Sequence, residues 1–472
     1  MTARPAPPPA SPAEALLARA DELRAALTGN FRDQLVQALY EDAETIARRA
    51  VKPVGARRRD WDQALDRLVT SPLFGLPLML ALLAVVFWLT VVGANYPSQL
   101  IATALFWVEG QASALFEAWG VPGWATGFIW HGTFRGLAWV VSVMLPPMAI
   151  FFPCFTILED LGYLPRVAFN LDWLFKRAGA HGKQAIAMSM GFGCNAAGVI
   201  ATRTIDSPRE RLIALLTNNF VPCNGRFPTL IMLATVFVAA AFPPAFASVA
   251  AAGSVVMVVV IGVLFTLVVS ALLSRTVLKG EASAFTLELP PYRRPNIGRI
   301  LYTSFIDRTI FVLWRAVQTA APAGAAIWVL GNVFVGGESL AQHAANFLNP
   351  PGQAIGLDGV ILLAYVIAIP ANEIVVPTML MVYMGAGMMT ADAPSFEALR
   401  ALLIVQHGWT MLTAVNLMLF SLLHNPCATT ILTMWKETRS LKWTTLGALM
   451  PLGIAFLVTF VTATAARLLG WA

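Results

Sequence analysis

The chain has 472 residues, of which 57% are hydrophobic and only 12% charged, and its mean hydropathy is +0.68. Soluble domains carry about 25% charged residues, and 21 of the 58 Lys, Arg, Asp and Glu residues here lie in the first 72 positions. The remaining residues have too little charge to cover a soluble core, which excludes secreted, fibrous and disordered proteins. The net charge of +6 comes from loops beside apolar segments, so no nucleic-acid partner is predicted. The composition predicts an all-α, polytopic membrane protein.

The first 59 residues form a separate hydrophilic segment. Residues 1–12 are rich in Pro and Ala and lack the apolar core of a signal peptide, so they predict a disordered tail. Residues 13–51 combine mixed charges with Leu and Ile at helical spacing, which predicts a helix. The basic residues Lys52, Arg57, Arg58 and Arg59 are typical of a positive-inside anchor and predict a cytoplasmic N-terminus, with a lipid-specific site as the alternative.

Eight apolar segments are each long enough to supply the ~20 residues that a membrane-spanning helix needs. They are residues 73–92, 137–158, 212–242, 247–273, 310–335, 360–383, 399–423 and 444–468. A ninth apolar stretch, residues 186–201, is shorter and contains Gly191, Gly193 and Gly198. Because glycine weakens a helix interior, this stretch predicts a broken helix rather than a full span.

The connecting stretches indicate how the segments are oriented, since Lys and Arg favour the cytoplasmic side. The stretches without Lys or Arg are predicted to be outside and the stretches rich in them inside: 93–134, 336–357 and 384–398 outside, and 159–183, 274–308 and 436–442 inside. The first outer stretch also has four tryptophans, which predict an amphipathic element at the membrane interface: Trp107, Trp119, Trp124 and Trp130.

Two segments have both of their flanks on one side of the membrane. Residues 186–201 have inside flanks and residues 360–383 have outside flanks, so each is predicted to be a re-entrant hairpin, one from each face. A Pro-Cys pair follows each hairpin, at Pro222-Cys223 and at Pro426-Cys427. The pattern predicts two inverted repeats with broken helices, as in many transporters. Ordinary hairpins with a chance Pro-Cys match are the alternative.

The predicted organisation therefore has six parts. They are a cytoplasmic tail and helix (1–59), a first span with its outer segment (60–134), a first repeat (135–273), a cytoplasmic linker (274–309), a second repeat (310–442) and a C-terminal span (443–472).

The polar residues inside these segments carry the chemistry. The first hairpin reads G-F-G-C-N and supplies Cys194 and Asn195, and the second reads P-A-N-E and supplies Glu373. The two Pro-Cys breaks supply Cys223 and Cys427. In an inverted repeat these breaks meet near the membrane midplane. Thiolate, amide and carboxylate groups suit a soft or borderline divalent metal better than Mg²⁺ or Ca²⁺, so the five residues are predicted to bind a transition metal.

Other polar residues have more than one interpretation. Asn224, His424 and Asn425 lie beside the Pro-Cys breaks and are candidate accessory ligands. Glu159 and Asp160 form either a polar cluster at a helix end or an exit site for cations. Each cysteine taken alone is more typical of packing in a membrane protein, and Cys154, which has no counterpart in the other repeat, is predicted to be structural.

No nucleotide-binding motif occurs in the sequence. The nearest fragment, Gly182-Lys183-Gln184, lacks both the preceding glycine at the required spacing and the Ser or Thr that would bind Mg²⁺. The sequence indicates neither catalytic residues nor a cofactor for catalysis, and it predicts a transporter rather than an enzyme.

Several motifs resemble one known family. The segments L-E-D-L-G-Y-L-P-R, G-F-G-C-N-A-A-G-V-I-A-T-R-T-I, P-C-N-G-R-F-P, N-E-I-V-V and N-P-C-A-T-T are similar to the membrane domain of the ferrous-iron transport protein B family, FeoB. The resemblance runs from about residue 60 to the C-terminus. It implies two gate repeats, similar to those of nucleoside-recognition proteins, and Fe²⁺ uptake across the bacterial inner membrane.

The sequence departs from that family at three places. The amino-terminal GTPase domain is replaced by the hydrophilic segment described above, so a separately encoded G protein or a small accessory protein is a candidate partner. Asn224 and Gly225 stand where the family usually has Ser and Ala around the second cysteine, and Asn372 precedes Glu373 where it usually has Lys. Fe²⁺ is the expected substrate, with Zn²⁺, Mn²⁺ and Co²⁺ as alternatives, and a homo-oligomer is left open.

Two other functions stay open on the sequence. The first is transport of nucleosides or other small solutes, because the gate repeat also resembles that superfamily. The second is a non-transporting membrane component of a signalling complex, in which Cys194 and Glu373 would be dispensable.

Overall fold

The protein is described from a computed structural model. It describes residues 31–50, 61–71, 73–280, 292–385, 387 and 396–470, together with residues 16, 19 and 22. The described chain is almost entirely helical, as predicted; two short strands, Phe334–Val335 and Glu338–Ser339, pair in an antiparallel hairpin. The basic residues Lys52 and Arg57 to Arg59 lie outside the described residues, as do Met1 to Pro12.

The helices follow one another in two similar series. The first half contains α1 (Phe31–Ala50), α2 (Trp61–Val69), α3 (Gly75–Ala118), α4 (Gly123–Asp160), α5 (Tyr163–Arg177), α6 (Gln184–Gly193), α7 (Asn195–Ala201), α8 (Pro208–Thr217), α9 (Phe227–Leu233) and α10 (Pro244–Arg275). The second half contains α11 (Ile297–Tyr302), α12 (Phe311–Asn332), α13 (Leu340–Ala354), α14 (Gly359–Ile367), α15 (Val375–Met384), α16 (Phe396–Arg400), α17 (Met411–Leu423), α18 (Ala428–Thr438) and α19 (Leu441–Leu468).

Six described helices or helix pairs are long and apolar enough to cross a membrane. They are Gly75–Ala118, Gly123–Asp160, Pro208–Ala241, Val249–Arg275, Met411–Thr438 and Leu441–Leu468. The prediction of a polytopic membrane protein is thereby confirmed. Of the predicted full spans, only 310–335 has no counterpart among these six. It corresponds to α12.

Two predicted boundaries are wrong. The stretch 93–118 continues α3 as one helix of 44 residues, about 66 Å long, rather than forming a separate interfacial element. The predicted span 399–423 is displaced, because a π-helical segment (Ala401–Gln406) ends before Gly408 and a new helix begins at Met411. That helix continues beyond the Pro-Cys break to Thr438, so the break lies within the span.

Both predicted hairpins close on themselves. In the first, Lys183 Nζ donates to Asp206 Oδ2 at 2.8 Å, which joins the residue before α6 to a residue shortly after α7. In the second, the Tyr383 hydroxyl donates to Asp358, the N-cap of α14. Straight helices of these lengths would separate the two ends by about 35 Å. Each hairpin therefore returns to the level at which it began, as a re-entrant segment requires.

The two hairpins are broken at equivalent points. Cys194 separates α6 from α7 with φ −155° and ψ 124°, and Ala371 precedes the second half of the other hairpin with φ −153° and ψ 115°. Asn195 and Asn372 follow at the same position of the two breaks. The Pro-Cys breaks also match, since Cys223 and Cys427 are both extended.

The order of elements repeats as well. The series from α4 to α10 has its counterpart in α12, α13, α14, α15, α17, α18 and α19, each with an amphipathic helix before the hairpin and a broken span after it. The first series contains three elements long enough to cross the membrane, an odd number, so the second series would begin on the membrane face opposite to the first.

Helix α2 is docked on the first repeat by a buried arginine. Arg166 on α5 is 1% exposed and donates from Nε to Asp66 Oδ1 at 2.6 Å, while its guanidinium lies 3.7 Å from the ring centre of Tyr292. The Asn170 amide donates to the carbonyl of Val69 at the end of α2, at 2.8 Å. Helix α1, in contrast, exposes every side chain that the structure describes.

We expect the topology to be visible by accessibility labelling. Single cysteines placed in 159–183 should react with a membrane-impermeant reagent only from the cytoplasmic side, and cysteines in 336–357 and 384–398 only from outside, because the second hairpin returns to its starting face. Labelling of the last two stretches from opposite faces would contradict the hairpin and the inverted repeat.

The Asp66–Arg166 contact predicts a pH dependence of α2 docking. Hydrogen bonds from Arg166 hold the pKa of Asp66 below its usual value. A carboxylate with a lowered folded-state pKa stabilises at pH values above the unfolded pKa of ~3.9, and this contribution is lost as the pH falls through the folded pKa. The protection factors of the backbone amides in residues 61–69, which correct for the pH dependence of intrinsic exchange, should therefore be unchanged from neutral pH to about pH 5 and fall below pH 4. In Asp66→Asn these protection factors should already be low at neutral pH. Equal protection in the two proteins would contradict the docking.

Removing the first 51 residues is expected to leave transport intact. Described side chains of α1 are exposed, whereas the contacts to the first repeat begin with α2. The measurement is metal uptake by proteoliposomes containing equal amounts of inserted protein. A truncation that also removes α2, up to Val69, is the matched comparison and should lose activity. Complete loss with the shorter truncation would show that α1 belongs to the transport unit.

Candidate metal site

One small cavity inside the helical bundle is lined by residues from all four helix breaks. Its volume is about 30 Å³, which is enough for a single water-sized occupant. Its lining comprises Met144, Gly193, Cys194, Asn195, Cys223, Gly225, Pro370, Ala371, Asn372, Glu373, Cys427 and Thr429. The five predicted primary ligands are all among them.

The extended backbone at the breaks explains why these residues meet. Inside a helix the backbone amides are paired with one another, whereas a break leaves polar backbone groups unpaired. Such a break is tolerated in a membrane only where other parts of the protein bury it or where it lines a cavity. Two of the breaks are joined within the second repeat, because the backbone N–H of Ala428, after the second Pro-Cys break, donates to the carbonyl of Ile369 in the second hairpin at 2.7 Å. The two breaks of the second repeat are therefore held side by side.

Glu373 reaches across from the second repeat to the first. Its side chain lies against the backbone of Gly225, where any Cβ would collide with the carboxylate. Glu373 is only 8% exposed, and no ion pair in the described part of the chain includes it. Glycine at position 225 thus provides the space for this close approach, and an alanine there would need the carboxylate to move.

The three cysteines of the cavity are free thiols with little solvent exposure. Cys194, Cys223 and Cys427 are free thiols, the first two buried and the third half-buried. The Cys427 Sγ lies 3.3 Å from the hydroxyl of Thr430 on α18. Within the described residues, no three His, Cys, Asp or Glu side chains are grouped closely enough to hold a metal ion together. Binding an ion in the cavity would therefore require these side chains to turn toward it.

A buried arginine braces the two Pro-Cys breaks. Arg226, which is 1% exposed, donates from its two terminal nitrogens to the carbonyls of Asn219 and Leu422 at 2.9 and 2.6 Å, to Asn219 Oδ1 at 3.0 Å, and to the carbonyl of His424 at 3.2 Å. Asn219 also donates to that His424 carbonyl at 2.6 Å. The guanidinium keeps its positive charge in proteins, so Arg226 itself is a permanent positive charge close to the thiols of the cavity.

Several predicted accessory residues lie away from the cavity. His424 is buried with Nδ1 2.9 Å from the carbonyl of Ser421 and Nε2 3.3 Å from Asn372 Oδ1, so protein oxygen atoms face both ring nitrogens. Asn425 directs its amide to the carbonyl of Pro426, and Asn224 is half-buried outside the cavity lining. In this geometry none of the three side chains lines the cavity, and their role as accessory ligands stays a prediction.

Glu159 and Asp160 lie in a different cavity. Their neighbours there include Arg293, Arg294 and Arg299. A wall with three guanidinium groups repels cations, so this lining disfavours a cation exit site, and the role of the two carboxylates stays a prediction. The interpretation as a polar cluster at a helix end agrees with their position at the end of α4.

Sequence reasoning missed two features of the site. Asn372 lines the cavity and has the same position in the second hairpin as Asn195 in the first, so the shared Asn could have been recognised by aligning the two hairpins. The buried Arg226 and Asn219 were also missed, although polar and charged residues inside a membrane segment are costly and usually functional.

The two repeats also meet at an ion-pair cluster. Glu437 at the end of α18 is 6% exposed and receives hydrogen bonds from Arg203, just after α7, at 3.0 Å and from Arg211 on α8 at 2.7 Å. This cluster, Arg203–Glu437–Arg211, links the first hairpin and its following span to the second repeat.

Comparisons with known proteins agree with this architecture. Residues 141–237 match the Gate family, described as nucleoside recognition, and residues 255–307 match the family described as ferrous iron transport protein B C terminus. A relative named Fe(2+) transporter FeoB from Staphylococcus aureus is 28% identical over 430 residues, covering 89% of this chain and 61% of that protein. The predicted resemblance to FeoB is confirmed.

Other FeoB relatives have similar coverage. The Fe(2+) transporter FeoB of Synechocystis is 28% identical over 435 residues, 91% of this chain and 67% of that protein. A Porphyromonas gingivalis relative, named as a fusion of Fe(2+) transport protein A and FeoB, is 27% identical over 447 residues, 84% of this chain and 50% of that protein. The chain thus spans about three fifths of the length of the Staphylococcus relative. No solved structure matches.

Proposed function

We propose that this protein transports Fe²⁺ across the membrane through the cavity lined by Cys194, Asn195, Cys223, Glu373 and Cys427. The observation that carries the proposal is that four separate helix breaks, two from each repeat, supply this one cavity with three thiols and a carboxylate. The FeoB relatives support Fe²⁺ as the substrate, since Fe(2+) transport is what their names state.

The ligand chemistry supports a transition metal. Thiolate groups favour Fe²⁺, Zn²⁺ or Co²⁺ over the hard cations that dominate the cell, and the carboxylate of Glu373 would offset the charge of an ion that loses its water. Cys223 and Cys427 lie near the centres of their spans, Pro208–Ala241 and Met411–Thr438, which supports a site near the membrane midplane. The side chains from the four helix breaks would rotate toward an ion held there and contact it from different sides.

The Arg203–Glu437–Arg211 cluster would keep the two repeats closed on one side of the cavity. It lies beside stretches rich in Lys and Arg, which are predicted to be cytoplasmic. The cluster joins the first hairpin to the second repeat, so the two repeats would have to separate there for an ion to leave the cavity on that side.

Nucleoside transport is the main competing function, and the cavity size disfavours it. Pockets that hold organic ligands are usually about 300–1,000 Å³, whereas this cavity is about 30 Å³. A dehydrated metal ion fits that volume. A component without transport activity would not need thiols and a carboxylate at the same breaks.

The cellular setting follows from the same proposal. We place the protein in the bacterial inner membrane with its N-terminus in the cytoplasm, on the basis of the basic residues in the first 59 positions. A separately encoded G protein or a small accessory protein would supply energy or regulation, and the fusion of Fe(2+) transport protein A to one relative supports an accessory partner of that kind.

The test is uptake by proteoliposomes under anaerobic, reducing conditions. Fe²⁺, Zn²⁺, Mn²⁺ and Co²⁺ are supplied one at a time, with and without a proton gradient, and a labelled nucleoside is supplied in parallel. Saturable uptake of Fe²⁺ that exceeds that of empty vesicles is expected, with no nucleoside uptake. Nucleoside uptake without metal uptake would establish the competing function, and uptake of neither would favour a non-transporting component.

A further inference from the structure

A second and much larger cavity lies between the first repeat and the linker that leads to the second repeat. Its volume is about 370 Å³, and it is formed where the end of α4 and the start of α5 meet the segment that leads into α11. Its polar lining includes Glu159, Asp160, Arg293, Arg294, Asn296 and Arg299. This cavity is separate from the cavity that contains the thiols.

Three arginines dominate the charge of this cavity. Arg293, Arg294 and Arg299 are all exposed, and among the described residues none of the three takes part in an ion pair. A guanidinium presents several N–H donors in a planar fork that matches the oxygen atoms of a phosphate group. Three such groups lie within about seven residues of chain, so together they offer many N–H donors to one phosphate group.

The two carboxylates on the facing wall limit what the ligand can be. Glu159 and Asp160 would repel a multiply charged anion, but they can accept hydrogen bonds from hydroxyl groups. A phosphate diester with a hydroxylated substituent would therefore satisfy both walls, with its phosphate toward the arginines and its hydroxyl groups toward the carboxylates.

The surroundings of the cavity are those of a membrane surface. Ile297, Leu301 and Tyr302 on α11 expose more than half of their side chains immediately beyond Asn296. The segment belongs to a stretch rich in Lys and Arg, which is predicted to lie on the cytoplasmic side. Basic cavities at that level of a membrane protein are suited to the head groups of anionic lipids.

We propose that this cavity binds a phosphate group through Arg293, Arg294 and Arg299. An anionic phospholipid such as phosphatidylglycerol and free phosphate share this chemistry. The exposed apolar residues of α11 would contact the acyl chains of the lipid, whereas free phosphate would use the arginines alone. The inference does not depend on which substrate the protein transports.

The test measures binding to the full chain with three probes. The purified protein is placed in nanodiscs of phosphatidylcholine alone or of phosphatidylcholine mixed with phosphatidylglycerol, and separately it is titrated with inorganic phosphate. Thermal unfolding and native mass spectrometry report binding. We compare the wild-type protein with a variant in which Arg293, Arg294 and Arg299 are each changed to Gln. Arg275→Gln is the matched control, because Arg275 is exposed at the end of α10 and does not line the cavity.

We expect the anionic lipid to raise the unfolding temperature of wild type and Arg275→Gln but not that of the triple variant. Arg294→Gln alone serves if the triple variant does not fold. Loss of a charge-assisted hydrogen bond weakens binding by about tenfold or more, so this single variant should bind the anionic lipid at least about tenfold more weakly. Stabilisation by inorganic phosphate to the same extent would support the phosphate site and identify free phosphate as its source. Equal responses of the wild type and both arginine variants, or no response of wild type to either probe, would overturn the proposal.

Discussion

Changing Cys223 to Ser or Glu373 to Gln is expected to reduce Fe²⁺ uptake by about two orders of magnitude while leaving insertion unchanged. Both side chains line the small cavity from opposite repeats, and both are largely buried. Loss even of a residue that only supports a metal ligand typically costs 10–100-fold in metal affinity, so loss of a ligand should cost at least as much. Uptake by proteoliposomes, normalised to inserted protein, measures the effect.

Cys154→Ser is the matched control for this prediction. Cys154 is a free, half-buried thiol on α4 that does not line the cavity, so its replacement should be nearly silent. Cys194→Ser and Cys427→Ser should behave like Cys223→Ser. Comparable loss in Cys154→Ser, or silence of every variant, would show that the cavity is not the metal site.

The second large effect is expected for Arg226→Met. This change removes a buried cation and leaves the carbonyls of Asn219, Leu422 and His424 without the donors that Arg226 provides. Leaving a buried acceptor without its donor typically costs about 1–3 kcal/mol, and several acceptors lose a donor here. The unfolding temperature in detergent should therefore fall markedly and uptake should be lost, because the two Pro-Cys breaks are no longer braced.

Two further variants make this result interpretable. Arg275→Met removes an exposed arginine at the end of α10 and should be close to wild type. Arg226→Lys keeps the charge but lacks the planar fork, so it should be intermediate in stability. An Arg226→Met protein with normal stability and normal uptake would contradict the bracing role.

Much of the architecture could be predicted because loop charge is a strong signal. The two hairpins were predicted from the sides on which Lys and Arg occur, and contacts between their ends, Lys183 with Asp206 and Asp358 with Tyr383, show that both segments turn back on themselves. Boundaries were less predictable. Hydropathy cannot show that a broken helix continues beyond its break, which is why the predicted span 399–423 was displaced from Met411–Thr438. The continuity of α3 through 93–118 was hidden because tryptophans suit both helices and interfaces.

The residues that line the small cavity could also be predicted, because the sequence shows where the helices break. Proline and glycine mark the breaks in the sequence, and the repeat predicts that breaks meet, so all five primary residues line one cavity. Side-chain direction at a break depends on tertiary contacts. His424 lies next to a break but faces Ser421 and Asn372 instead of the cavity. Likewise, nothing in the local sequence shows that Arg293 and Arg294 face Glu159 and Asp160.

The central claim is that the thiols and Glu373 bind one metal ion in the small cavity, and X-ray absorption spectroscopy tests it most directly. The purified protein is loaded anaerobically with one equivalent of Fe²⁺, and in parallel with Zn²⁺, and is compared with a variant in which Cys194, Cys223 and Cys427 are all Ser. We predict sulfur neighbours around the bound metal in wild type, at about 2.3 Å for Zn²⁺, with oxygen neighbours in addition, and loss of the sulfur shell in the variant. A shell of oxygen and nitrogen alone in wild type, or the same sulfur shell in the variant, would contradict the claim.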